Sequence, residues 1–433
     1  MLKRLVASAI VLWTSQAGQQ LPRPSFETHV DMVLVDAHVV DRNGKPIADL
    51  RPDEFEVEIS GRRRRVASVQ FVSYGGPPAA AAPGTPTAAS EPSAVRPRRM
   101  FVVAVDEHSL HISNAMAAVR AAERFIDRLQ PDDLVGLHAY PTGAATHDLT
   151  SDHASVRRAL RKISGLYSET ASRLNLSPTE AIDIASGDRE AQLAVFRREC
   201  ASGGCSQNDI RNEAISFAGS IEMRVSQSVG GLRGLVRGLE QIPGRKTLVL
   251  VSGGLITTDR GSGRANASAE IAALGREIAQ ANLSVFALHL DWSFLEAVSA
   301  RSGLRLSYFR DSNMAATGLE MVAGAGGGAL FRVQGTSPDL AFDRVLHETS
   351  AHYLLGVEGS EADRDGRAHP IRVKVKRRGA HVRSRTSVVV PRREGVDGGD
   401  GVDSVDGVDG GDGGSQTEER SERRTNGVTE ALT

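Results

Sequence analysis

The sequence is short of several things at once. Only two of its 433 residues are cysteine, which excludes the disulfide framework that holds small secreted domains together. Aromatic residues make up 4 %, so Ala, Val, Leu and Ile must build the core. The formal net charge is −1, and no basic excess marks a nucleic-acid binder. Apolar runs stop before the roughly 18 residues that a membrane-spanning helix needs. No G-x-S-x-G pentapeptide sets up a serine nucleophile. A phosphate cradle needs a strand, then glycines, then a helix, whereas "GAGGG" at 324–328 and "PGRKT" at 243–247 both precede strands.

What is present starts with Lys3 and Arg4, the apolar run Leu5–Trp13, and Ser15-Gln16-Ala17. This is the pattern of a secretory signal peptide over residues 1–17, and it predicts an exported chain, periplasmic or secreted. In an oxidising compartment Cys200 and Cys205, in "ECASGGCSQ", can close a small disulfide loop. A zinc site would want a second cysteine pair or a nearby histidine, and neither is there.

Residues 29–73 alternate apolar and polar side chains, with a turn at Asn43-Gly44, and predict an N-terminal β module. Residues 74–99 are rich in Pro, Ala, Gly and Ser, the composition of a linker. From 100 to 335 apolar strands alternate with helices, among them stretches near 114–129, 180–199 and 209–240. Repeating β-α units predict an α/β fold, a doubly wound, mostly parallel sheet flanked by small all-β modules. Over 336–391, Ser337-Pro338-Asp339 opens a helix, and "HYLLGVE", "HPIRVKVKR" and "HVRSRTSVVV" alternate as strands of a second β module. The tail, 392–433, has Asp at every third position from 397 to 412 and little apolar content, so it is read as disordered.

The marks "VDRNGKPIADLRPDEFEV", "FVVAVDEHS", "PGRKTLVLVSGG", "IAQANLSVFALHLD" and "YLLGVE…HPIRVKVKR…VRSR" follow one another in a fixed order. Together they resemble exported bacterial proteins with a von Willebrand factor A-like domain, the VWFA-related Acidobacterial domain group, over roughly residues 29–390. The resemblance implies a metal-ion-dependent adhesion site on the sheet: Asp-x-Ser-x-Ser after the first strand, a middle threonine, and an aspartate after the fourth. In this chain Asp106 matches, but His108 and Leu110 stand where the serines belong and Gly253 where the second aspartate belongs. Thr179, in "LSPTEAI", is the match for the threonine.

Mg²⁺ and Ca²⁺ want several hard oxygen ligands, so Asp106, His108 and Thr179 describe a degenerate site with at most weak divalent binding. The plainer role for Asp106 is to cap backbone N–H groups of the following turn. The expectation is a non-enzymatic adhesion or scaffold protein with no cofactor, no transmembrane span in the mature chain and no nucleic-acid partner. Its unknown protein partner, in the envelope or outside the cell, would meet a rim formed by Ser109, Ser252, His289 and Asp291. The alternative is a metal-dependent hydrolase in which His289 and Asp291 join Asp106 and His108.

Overall fold

Alternating residues in "MVLVDAHVV" give a strand with one face for a core. The computed structural model describes residues 32–74, 98–167, 172–258, 263–293, 307–334 and 338–390. It begins with β1 (Met32–Val40), β2 (Phe55–Ile59), β3 (Arg62–Arg64) and β4 (Val66–Ser73). The signal segment 1–17, nearly all of the linker 74–99 and the tail 392–433 lie outside the described residues.

The mixed α/β region follows: β5 (Met100–Asp106), β6 (Leu134–Tyr140), β7 (Thr146–Thr150), β8 (Lys246–Ser252), β9 (Leu283–Asp291) and β10 (Ala329–Gln334). They form one sheet in the order β10-β9-β8-β5-β6-β7, parallel except for β7, which pairs antiparallel with β6 at the edge. Strands β5 and β8 are apolar almost throughout because helices cover both faces. Phe101, Val103 and Val105 pack with α1 (Ile112–Asp127), α2 (His153–Leu160) and α8 (Asp339–Glu348). Val102 and Ala104 face the other way, onto α5 (Gln207–Glu240), α6 (Ser268–Gln280) and α7 (Tyr308–Ala325). Chain order reverses between neighbours β5 and β8, which opens a crevice above their carboxyl ends, where such sheets place ligands.

Between β7 and α5 the single stretch expected near 180–199 is two helices, α3 (Pro178–Ala185) and α4 (Arg189–Glu199). Gly187 breaks it with φ +94°, a conformation that side chains resist, and Asp188 recaps the chain by accepting from the N–H of Glu190 and Ala191. Cys200 and Cys205 form a disulfide, with Cα atoms 5.3 Å apart. It ties the end of α4 to the start of α5 beside a small cluster of Leu174, Leu176, Ile184, Val195 and Ile210.

The last strands are β11 (Ala351–Glu358), β12 (Ala368–Val375), β13 (His381–Ser384) and β14 (Ser387–Val389). They do not make a module of their own. One sheet runs β13-β1-β11-β4 and the other β14-β12-β2-β3, so the strands of residues 32–73 and 351–389 are interleaved in a single sandwich. Alternation tells which face of a strand is buried but not which distant strand lies beside it. Tyr353 sits at the centre of this sandwich, its ring 5.3 Å from Phe55 and 5.1 Å from Phe71. Its hydroxyl donates to Ile47 O at 2.8 Å and accepts from Leu50 N at 3.0 Å.

Candidate functional site

Asp106 ends β5 and is almost wholly buried. Its carboxylate does not cap the next turn, contrary to the expectation from sequence. Instead its Oδ2 accepts from Ser228 Oγ at 2.8 Å and from Ser252 Oγ at 3.3 Å. Ser109 bonds to Ser252 Oγ at 3.0 Å, donates to Asp106 O at 2.9 Å, and accepts from Gly253 N at 2.8 Å. A closed set of hydroxyls therefore joins β5, β8 and α5. Burial raises the Asp106 pKa to about 6, against the lowering effect of the Ser228, Ser109 and Ser252 hydrogen bonds. Oδ1 has no hydrogen-bond partner among the described residues.

Ser228 escaped the sequence reading, although it left a signal. It lies on the buried stripe Ile221, Val225, Val229, Leu232 of α5, a polar residue in an apolar row. Gly231, one turn on, lets the helix approach: a Cβ there would meet the Tyr140 ring at 2.8 Å.

The other expected residues fall around this set in different ways. His108 Nδ1 bonds to Gln227 Oε1 at 3.3 Å, and Leu110 is fully buried. His289 donates from Nε2 to Gly253 O at 3.1 Å, and burial lowers its pKa. Asp291 is not part of the cluster, since it accepts from Ser312 Oγ at 2.5 Å and Ser293 N at 3.0 Å. Burial acts to raise the Asp291 pKa, but those bonds and the neighbouring His289 leave it below the usual value. Thr179 sits on α3, its N–H donating to Asp311 Oδ1 at 2.8 Å, and among the described residues no hydrogen bond joins it to Asp106.

The divalent ion that the resemblance implies does not fit this donor set. One carboxylate is present, and the hydroxyls beside it are committed to that carboxylate and to each other. A Cβ on residue 253 would lie 1.9 Å from Ser109 O, so no aspartate enters there without moving the 107–109 turn. Among the described residues no three His, Cys, Asp or Glu side chains are grouped to hold a metal ion, and the His/Asp quartet of the hydrolase reading is not assembled.

Above the hydroxyl set lies a pocket of about 90 Å³, whose walls include His111, Tyr167, Arg224, Trp292 and Asp311. His111 meets Tyr167 edge-on at 4.4 Å, and Trp292 tilts against His111 at 5.4 Å. The guanidinium of Arg224 lies over the Tyr167 ring at 5.0 Å. Arg224 and its aromatic support were invisible as a site in the sequence, because four separate segments deliver them. Compared with models of known families and with curated proteins, the chain matches none.

A first test concerns Asp106. Its folded pKa lies above the unfolded value, so at neutral pH its ionisation opposes folding, and this penalty fades as pH falls from about 6 towards 4. Replacing it by Asn should stabilise the protein by about 1–3 kcal/mol at pH 8. Urea unfolding across the pH range should show the gain disappearing near pH 4. A loss of stability at pH 8 would mean that the fold needs the charge.

Proposed function

We propose that the protein is an exported, non-enzymatic binding protein that takes a polypeptide partner on the carboxyl rim of its parallel sheet. A single observation carries this reading, the exposed apolar side chains carried by the same segments that line the rim pocket. Ile112 follows His111, Met223 precedes Arg224, and Phe309 lies two residues before Asp311; each is more than half exposed. Exposed apolar groups beside a pocket are the usual mark of an interaction surface.

The resemblance to von Willebrand A-like domains supports the same face, as does a strand order that reverses at β5 and β8 and ends in an antiparallel edge strand. We read the arrangement as that fold with its metal site lost. The disulfide suits an oxidising compartment, and no helix among the described residues is long and apolar enough to cross a membrane. Catalysis finds little support, since His289 and Asp291 are held in separate hydrogen bonds.

Photo-crosslinking residues placed at 112, 223 and 309 should capture the same partner in envelope fractions. The same residue at 340, exposed but on α8, should not. Equal capture from position 340 would overturn the assignment of the rim.

A further inference from the structure

The pocket wall holds a guanidinium, Arg224, and a carboxylate, Asp311, and among the described residues the two are not paired with each other. Arg224 makes no ion pair among the described residues, and the one contact described for it is the Tyr167 ring. Neighbouring acids are engaged elsewhere. Glu222 is held by Arg264 at 2.7 Å, and Asp311 accepts from Thr179 N and from Ser307 Oγ. Stacking on an aromatic face fixes the plane of an arginine and leaves its N–H edge to bind, which lowers the entropy lost when an anion arrives.

We propose that Arg224 anchors a carboxylate of the partner polypeptide, an Asp or Glu side chain flanked by apolar residues, directly and without a metal ion. This rests on the rim being the binding face. The size agrees, because about 90 Å³ takes a carboxylate on a short stem but falls well below the roughly 300–1,000 Å³ of pockets for drug-sized ligands. The charge agrees as well. One guanidinium matches one carboxylate in a two-pronged pair, whereas a phosphate dianion brings a second negative charge against the Asp311 carboxylate in the same wall. Ile112, Met223 and Phe309, exposed on the segments that line the pocket, offer apolar surface to the residues on either side of the acid.

The probe is 3-phenylpropionate, with its neutral amide as control, titrated into the full chain and followed by NMR of Trp292 and of the arginine side chains. The acid should bind and the amide should bind at least about tenfold more weakly. EDTA or added Mg²⁺ should change nothing. Arg224→Gln should lose the acid at unchanged thermal stability, and Arg224→Lys should recover part of the binding, since lysine keeps the charge but not the fork. Equal binding of acid and amide, binding retained in Arg224→Gln, or a requirement for Mg²⁺ would each overturn the proposal. If the rim crosslinks form while the acid fails to bind, the anchor is wrong and the binding face stands. If the crosslinks fail too, both fall.

Discussion

Gly253→Ala should cost about 3 kcal/mol of stability, an effect out of proportion to one methyl group. The new Cβ would lie 1.9 Å from Ser109 O and 2.9 Å from Ser109 C, so the turn after β5 has to move. That turn supplies Ser109, and moving it breaks the bonds to Ser252 Oγ and Gly253 N that close the set around Asp106. Gly254 gives no relief, because its φ of +143° belongs to glycine and its own Cβ would press on Ala315 at 2.6 Å. Gly253→Asp, which installs the carboxylate that the resemblance implies at this position, should be worse still and should bring no divalent binding detectable by calorimetry. Urea midpoints for both variants decide the matter. A loss below about 0.5 kcal/mol would show that the turn yields and that the rim is plastic.

Acid should destabilise the protein through two buried histidines where the sandwich meets the α/β region. His38 Nδ1 donates to Ala351 O at 3.3 Å, and its Nε2 accepts from Arg245, which also reaches Ser284 Oγ at 3.1 Å. His352 stacks on Tyr74 at 5.7 Å, with Asp36 Oδ1 3.8 Å away. Burial, then the charge of Arg245, holds His38 well below 6.5 and lowers His352 to about 4. Both are neutral when folded, while the unfolded chain takes up protons near pH 6.5. The unfolded state thus binds more protons, and stability falls as pH drops from about 6.5 to 4. The two histidines share that loss between them. Asp106 acts in the opposite sense between pH 6 and 4, so the native protein shows only the difference. In the Asp106→Asn background, denaturation at about pH 8 and about pH 4.5 should expose the full loss, and His352→Asn should remove much of it. A flat profile in that background would refute the assignment.

The central strands were legible because "FVVAV" and "TLVLV" are apolar on both faces, which only a covered parallel strand tolerates. β7 was not, since "THDLT" has no buried face and exists by its backbone pairing to β6. Asp106 stood out by its place at a strand end, and Ser109 and Ser252 by theirs. What the carboxylate bonds to did not, because Ser228 arrives on a helix 122 residues further along the chain. Thr179 was matched by type and loop order alone, and a threonine's position in a loop says nothing about which carboxylate lies near it.

The sandwich has one more consequence, for the order of events during synthesis. β4 pairs with β11 through Ser73 and Ala351, and β1 is flanked by β11 and β13, so the α/β region is an insertion between neighbouring strands. Contacts of such long sequence separation form slowly. Residues up to 334 carry every strand of the α/β sheet while β1 and β4 still lack β11 and β2 still lacks β12, with edges open to any other strand. The end of the chain therefore acts as a latch, and a polypeptide truncated before residue 351 would keep its rim but expose an unfinished sheet to aggregation.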